Sequence, residues 1–252
     1  MGSHNRRAMT PDQREKWIKI FREHEPKTHS TMYALHSLAQ HWVENEALIE
    51  RAAKEEIKQN GPKWTPKNDE EISEFVAERS VARMMHDDIM IPMHRYSCIV
   101  MLFTTVEREL NRLVDNLEKE RGQQKLKLKD ISGAFLNKVE KYIEVFYGLR
   151  LADCPHYAAL HDLQKIRDCI IHCLGKVGES NDEKYLVELQ TKRAGFFAHS
   201  PNGIWIKSEC IRQFFIEIWG FFTWVFDNDK VKWKINSCFQ GNKLERTFKE
   251  LK

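Results

Sequence analysis

The sequence predicts an all-α fold, a helical bundle with one small β-hairpin inserted before the last long helix, and three observations carry that expectation. Apolar residues recur at spacings of three and four through most of the chain, the period of helices with one buried face. Capping residues and glycine or proline stops bracket these periodic stretches. Strand character is confined to GFFAHSPNGIWIK, residues 195–207, where Phe196-Phe197 and Ile204-Trp205-Ile206 flank a Ser-Pro-Asn-Gly turn.

Residues 1–9, opening on Met1-Gly2-Ser3-His4, read as a tag-like, disordered terminus outside the fold. Residues 10–91 read as an N-terminal helical extension. Thr10-Pro11-Asp12-Gln13 carries a cap, a first-turn proline and a capping-box partner, so a helix is expected from there to about Glu25, before Pro26. Ser30 or Thr31 opens a long amphipathic helix that Asn60-Gly61-Pro62 stops. After the linker GPKWTPK, Asn68 and Glu71 form a second capping box, and the helix they begin runs to about Ile89, with Pro92 breaking or kinking it.

The main helical domain is expected over 92–228, followed by a tail at 229–252. From His94 to Arg121, Ile99, Leu102, Phe103, Val106, Leu110, Leu113, Val114 and Leu117 draw one buried stripe on a long helix. Phe135, Leu136, Val139, Tyr142, Ile143 and Phe146 trace another, closed by Gly148. Asp153-Cys154-Pro155 starts a third, ending at Gly175. Beyond the hairpin, Ser208 is placed to cap a final helix with Ile211, Phe214, Phe215, Ile218, Trp219, Phe222, Val225 and Phe226 on its apolar face.

Composition narrows the function classes. The 252 residues are 42% hydrophobic, enough for a real core, and the net charge of +3 gives no global basic field, so any anion site must be local. Six cysteines lie scattered among apolar residues without the spacing of a disulfide scaffold, which points to a reducing, cytoplasmic setting. The longest apolar run, FFIEIWGFFTWVF at 214–226, contains Glu217 and is shorter than the roughly 20 residues of a membrane span. No membrane partner is expected.

The stretch IRDCIIHCLG, 166–175, puts Arg167, Asp168 and His172 into an apolar helix. On a helical projection, Leu163, Ile166, Ile170, Cys173 and Leu174 share an arc and Arg167 falls inside it, whereas Asp168 and His172 share another. A guanidinium keeps its charge when buried, so Arg167 must snorkel or find a carboxylate or phosphate, and Glu107 on the first bundle helix is a candidate. Asp168 and His172 are four apart, and a carboxylate there orients an imidazole and favours its protonated form. Arg167 and His172 are about 140° apart on an ideal helix, so they converge on one substrate atom only if two copies of the helix meet across a two-fold axis.

Over a longer span the chain resembles a HEPN domain. The segments that carry the resemblance are YSCIVMLFTTVERELNRLVDNL (96–117), LKDISGAFLNKVEKYIEVFYGLRL (128–151), LHDLQKIRDCIIHCLGKV (160–177), the hairpin and IRQFFIEIWGFF (211–222), in that order. Their anchor is the RxxxxH motif with a following glycine, here Arg167, His172 and Gly175. The residue after the arginine is usually asparagine in this family; Asp168 keeps a hydrogen-bonding side chain and adds a negative charge near the phosphate.

The resemblance implies a metal-independent endoribonuclease without cofactor, a homodimer whose two motifs line one composite cleft, acting on an RNA such as tRNA or mRNA. In such a site the 2′-hydroxyl attacks the adjacent phosphate and leaves 2′,3′-cyclic phosphate and 5′-hydroxyl ends. Arg167 and His172 would be catalytic, with Asp168 as orienter and Glu107 in support. The resemblance further implies a toxin or antiphage-defence effector, with a regulatory or antitoxin protein as partner. Lys125, Lys127 and Lys129 are candidate phosphate contacts, or equally an exposed loop.

Other classes stay open. The same fold serves as a catalytically silent module for dimerisation or partner binding. His86-Asp87 and His161-Asp162 superficially resemble the doublets of HD phosphohydrolases, and Cys169, His172 and Cys173 include zinc-ligand types, although the two cysteines also suit a bundle core.

Overall fold

The computed structural model describes residues 30–60, 64–121, 127–200 and 203–228. Among them the chain forms seven α-helices and one hairpin: α1 (Ser30–Asn60), α2 (Asp69–Met84), α3 (Ile91–Arg121), α4 (Phe135–Tyr147), α5 (Tyr157–Cys173), α6 (Glu183–Lys192), β1 (Phe196–Ser200), β2 (Gly203–Ile206) and α7 (Ser208–Asp227). The fold is all-α with a two-stranded antiparallel hairpin before the last long helix. The helix expected over 10–25, Lys125 and the tail from 229 lie outside the described residues.

The helical period places the core. All eight stripe positions of α3, from Ile99 to Leu117, are buried, and they share one core with Met32, Leu35, Trp42 and Val43 of α1 and with Phe214, Ile218 and Phe222 of α7. Trp42 stacks on Phe215 at 5.7 Å. By length and composition alone, the segment Asp88–Glu118 is long and apolar enough to cross a membrane. Arg95 within it is 3% exposed and bonded to Glu46 of α1, and the segment's apolar stripe packs into the core shared with α1 and α7.

Several boundaries differ from expectation. Pro92 does not break the chain: α2 passes into a π-helical segment, Met85–Met90, and straight on into α3. The widened turn accommodates a ring that opposes the carbonyl four residues back and a position without an N–H. The helix expected from Asp153 begins at Tyr157, because Cys154, preceding Pro155, is held extended at φ −75° and ψ 126°. Ser208 does not cap α7; it is the first helical residue, its hydroxyl donating to Glu46 Oε1 at 2.7 Å and accepting from Arg95 Nη2 at 2.9 Å. Helix α6 was not signalled by the period, since only Leu186 and Leu189 are buried in it.

Helices α3 and α5 run antiparallel: Glu107 of α3 meets Arg167 of α5, and ten or so residues earlier Tyr96 meets the α5 terminus. The hairpin closes the same end, in the register Phe196↔Ile206 and Phe197↔Trp205. Its second strand is tied to α5 by Ile204 N–H donating to Gly175 O at 2.8 Å and to α3 by Tyr96 O–H donating to Ile204 O at 2.7 Å.

Candidate functional site

Arg167 emerges from the α5 face turned toward α3. Its side chain is 22% exposed, and its guanidinium carbon lies 5.1 Å from the centre of the Phe103 ring. Nη1 donates to Asp168 Oδ1 at 2.6 Å and Nη2 to Glu107 Oε2 at 3.3 Å, while the buried Nε–H meets no acceptor among the described residues. A permanent cation placed in an apolar arc has thus recruited one carboxylate from its own helix and one from the facing helix.

The two carboxylates are not equivalent. Burial pushes the Glu107 carboxyl up from its ordinary value; Arg167 opposes that shift and the neighbouring Asp168 charge adds to it. Asp168, expected to pair with His172, is turned to Arg167 instead. A guanidinium that is always charged and partly withdrawn from water outcompetes an imidazole at the exposed helix end. His172 is exposed, and its ring meets no hydrogen-bonding or charged partner among the described residues.

The helix terminus fixes where His172 sits. Leu174 adopts φ 51° and Gly175 φ 81°, so that the N–H of Gly175 returns to Cys169 O at 3.1 Å and that of Lys176 to Cys173 O at 2.8 Å. A Cβ at Gly175 would overlap the Tyr96 hydroxyl. The glycine of the motif therefore serves the junction of α3, α5 and β2. This turn also leaves Leu174 74% and Ile171 45% exposed on either side of His172.

Lys127 and Lys129 are not brought to this site. Lys127 and Lys129 are exposed on the turn at Leu128–Asp130, which is anchored by Leu128 N–H donating to Glu118 Oε1. Glu118 lies about 16 Å beyond Glu107 at the helical rise, and His172 lies in the opposite direction.

Among the described residues no three His, Cys, Asp or Glu side chains form a metal-ligand group. Asp162 has both oxygens engaged, by Tyr185 Oη and Arg193 Nη2, each at 2.6 Å, and burial lowers the pKa of the adjacent His161. Burial pushes the Cys169 thiol up to about 11, as suits a core residue. The side chains of His86 and Asp87 lie outside the described set.

Tyr96 and Phe103 shape the site and were not singled out from sequence, where Phe103 reads as an ordinary member of the α3 stripe and Tyr96 lies outside it. Comparison with family models, with curated proteins and with solved structures gives no match.

Proposed function

We propose that this chain is a metal-independent endoribonuclease that works as a homodimer, Arg167 and His172 of both copies lining one cleft. The observation that supports this best is a fixed cation with one edge at the surface on the same helix as an exposed, unengaged histidine, bordered by exposed Ile171 and Leu174. Bare aliphatic side chains beside polar ones suit a buried contact between copies. A dimer also answers the angular separation of Arg167 and His172 along α5.

In such a cleft one histidine takes the proton of the RNA 2′-hydroxyl as it attacks phosphorus, and the other protonates the departing 5′ oxygen. The arginines offset charge that accumulates on the phosphoryl oxygens as the transition state forms. The ends released are a 2′,3′-cyclic phosphate and a 5′-hydroxyl. In biological terms this activity suits a toxin or antiphage-defence effector restrained by a partner protein.

Purified protein incubated with total RNA and with tRNA is expected to cut in the presence of chelator as well as without it. Arg167→Ala and His172→Ala are expected to keep the helical circular-dichroism signal and lose at least about a hundredfold in rate. Full activity in either variant defeats the assignment. One observation favours a second reading, a silent helical partner-binding module: Arg167 is already paired with two carboxylates. No cleavage by the parent protein, with a stable dimer, would select it.

A further inference from the structure

If Arg167 meets the RNA phosphate, as the ribonuclease reading requires, its existing ion pairs become part of the binding chemistry, and their role rests on that reading. An anion site needs surplus positive charge, yet the groups in direct contact here are one guanidinium and two carboxylates, one from each helix. Asp168 is 29% exposed and Glu107 26%, so both sit where an incoming phosphate would have to pass or lie alongside. Neither is fixed elsewhere: Arg167 is the only side chain to which either is hydrogen-bonded among the described residues.

We propose that Asp168 and Glu107 are an internal substitute for the RNA phosphate, holding Arg167 in a self-neutralised state, so that a phosphodiester binds by exchange with one of these carboxylates. The guanidinium stays charged and keeps Nη1 and Nη2 engaged before and after the exchange, which avoids the cost of a partly buried cation without an anionic partner at every stage. The ring of Phe103 backs the guanidinium throughout. Binding strength is set by a difference between two anions rather than by the arginine alone. The two carboxylates are positioning residues: they act through Arg167 and restrain it in the absence of RNA.

A 2′-deoxy oligonucleotide, which cannot be cleaved, separates binding from chemistry. By fluorescence anisotropy, Asp168→Asn and Glu107→Gln are each expected to tighten its binding about three- to tenfold, and Arg167→Ala to weaken it. The deciding measurement is the double-variant cycle: in the Arg167→Ala background the Asp168→Asn and Glu107→Gln gains should vanish. Gains of equal size without Arg167 would mean a general charge effect and overturn the exchange. So would the absence of any gain while Arg167→Ala still weakens binding, an outcome that leaves the ribonuclease reading standing. If Arg167→Ala changes neither binding nor cleavage, both fall together.

Discussion

Arg167, Glu107 and Asp168 form a unit in which local charge balance and burial pull against each other. Glu107 carries a carboxyl raised above its ordinary 4.5, chiefly by burial. In the window from that value up to the shifted one, the folded chain holds a proton that the unfolded chain has released. Stability therefore falls as pH rises through the window, and the Glu107 carboxylate costs stability at neutral pH. Glu107→Gln is expected to keep or raise the Tm at pH 7, and the gap between variant and parent should close on acidification below the ordinary value of 4.5. A variant several degrees less stable at pH 7 would show that the ion pair with Arg167 outweighs the burial. The sequence disclosed Arg167 through its place in an apolar arc, with Glu107 on the first bundle helix standing as one candidate partner. It did not disclose that Asp168 faces the arginine, because adjacent residues on a helix point apart until long side chains bend back.

At the scale of elements, long helices were legible because their buried stripes repeat over many turns, as in α1, α3 and α7. Three features were not. Helix α6 buries only two side chains, α2 runs into α3 through a π turn that no composition rule marks, and Ser208 is claimed by a buried Arg95–Glu46 pair whose partners lie far away in sequence. The terminus of α5 was legible as a stop but not as a junction. There Gly175 combines a left-handed φ of 81° with close approach to Tyr96, whereas Gly148, at φ 63°, has nothing within 4 Å of an added Cβ. Gly148→Ala is expected to cost about 1 kcal/mol from backbone conformation alone, and Gly175→Ala up to about 3 kcal/mol because sterics add to it. Urea unfolding of the two variants measures the difference. Equal losses would mean that Tyr96 moves aside freely and that α5 is not fixed by this junction.

At the scale of the molecule, α1 shares the core of the main helical body, with Arg95 bonded to Glu46 of α1 and to Ile206 O and Ser208 Oγ near the hairpin. This clamp ties the hairpin, and through Ile204 the end of α5, to the bundle, so the backbone that carries Ile171, His172 and Leu174 is anchored to α3 and β2. Such anchoring matters for a cleft assembled from two copies, because each histidine must be held to within a fraction of an ångström of its proton-transfer geometry. If one cleft needs both histidines, a dimer with a single intact copy is inactive. Mixing parent and His172→Ala protein under conditions of subunit exchange should then lower cleavage as the square of the parent fraction, to about one quarter at equal amounts. Leu174→Asp, which sets a charge into the exposed aliphatic border, should give a folded monomer by sedimentation with cleavage lost. A linear decline, to about one half at equal amounts, or a cleaving monomer, would show that each chain cuts alone; the single shared cleft would then be wrong, and the roughly 140° between Arg167 and His172 would have to be closed within one copy.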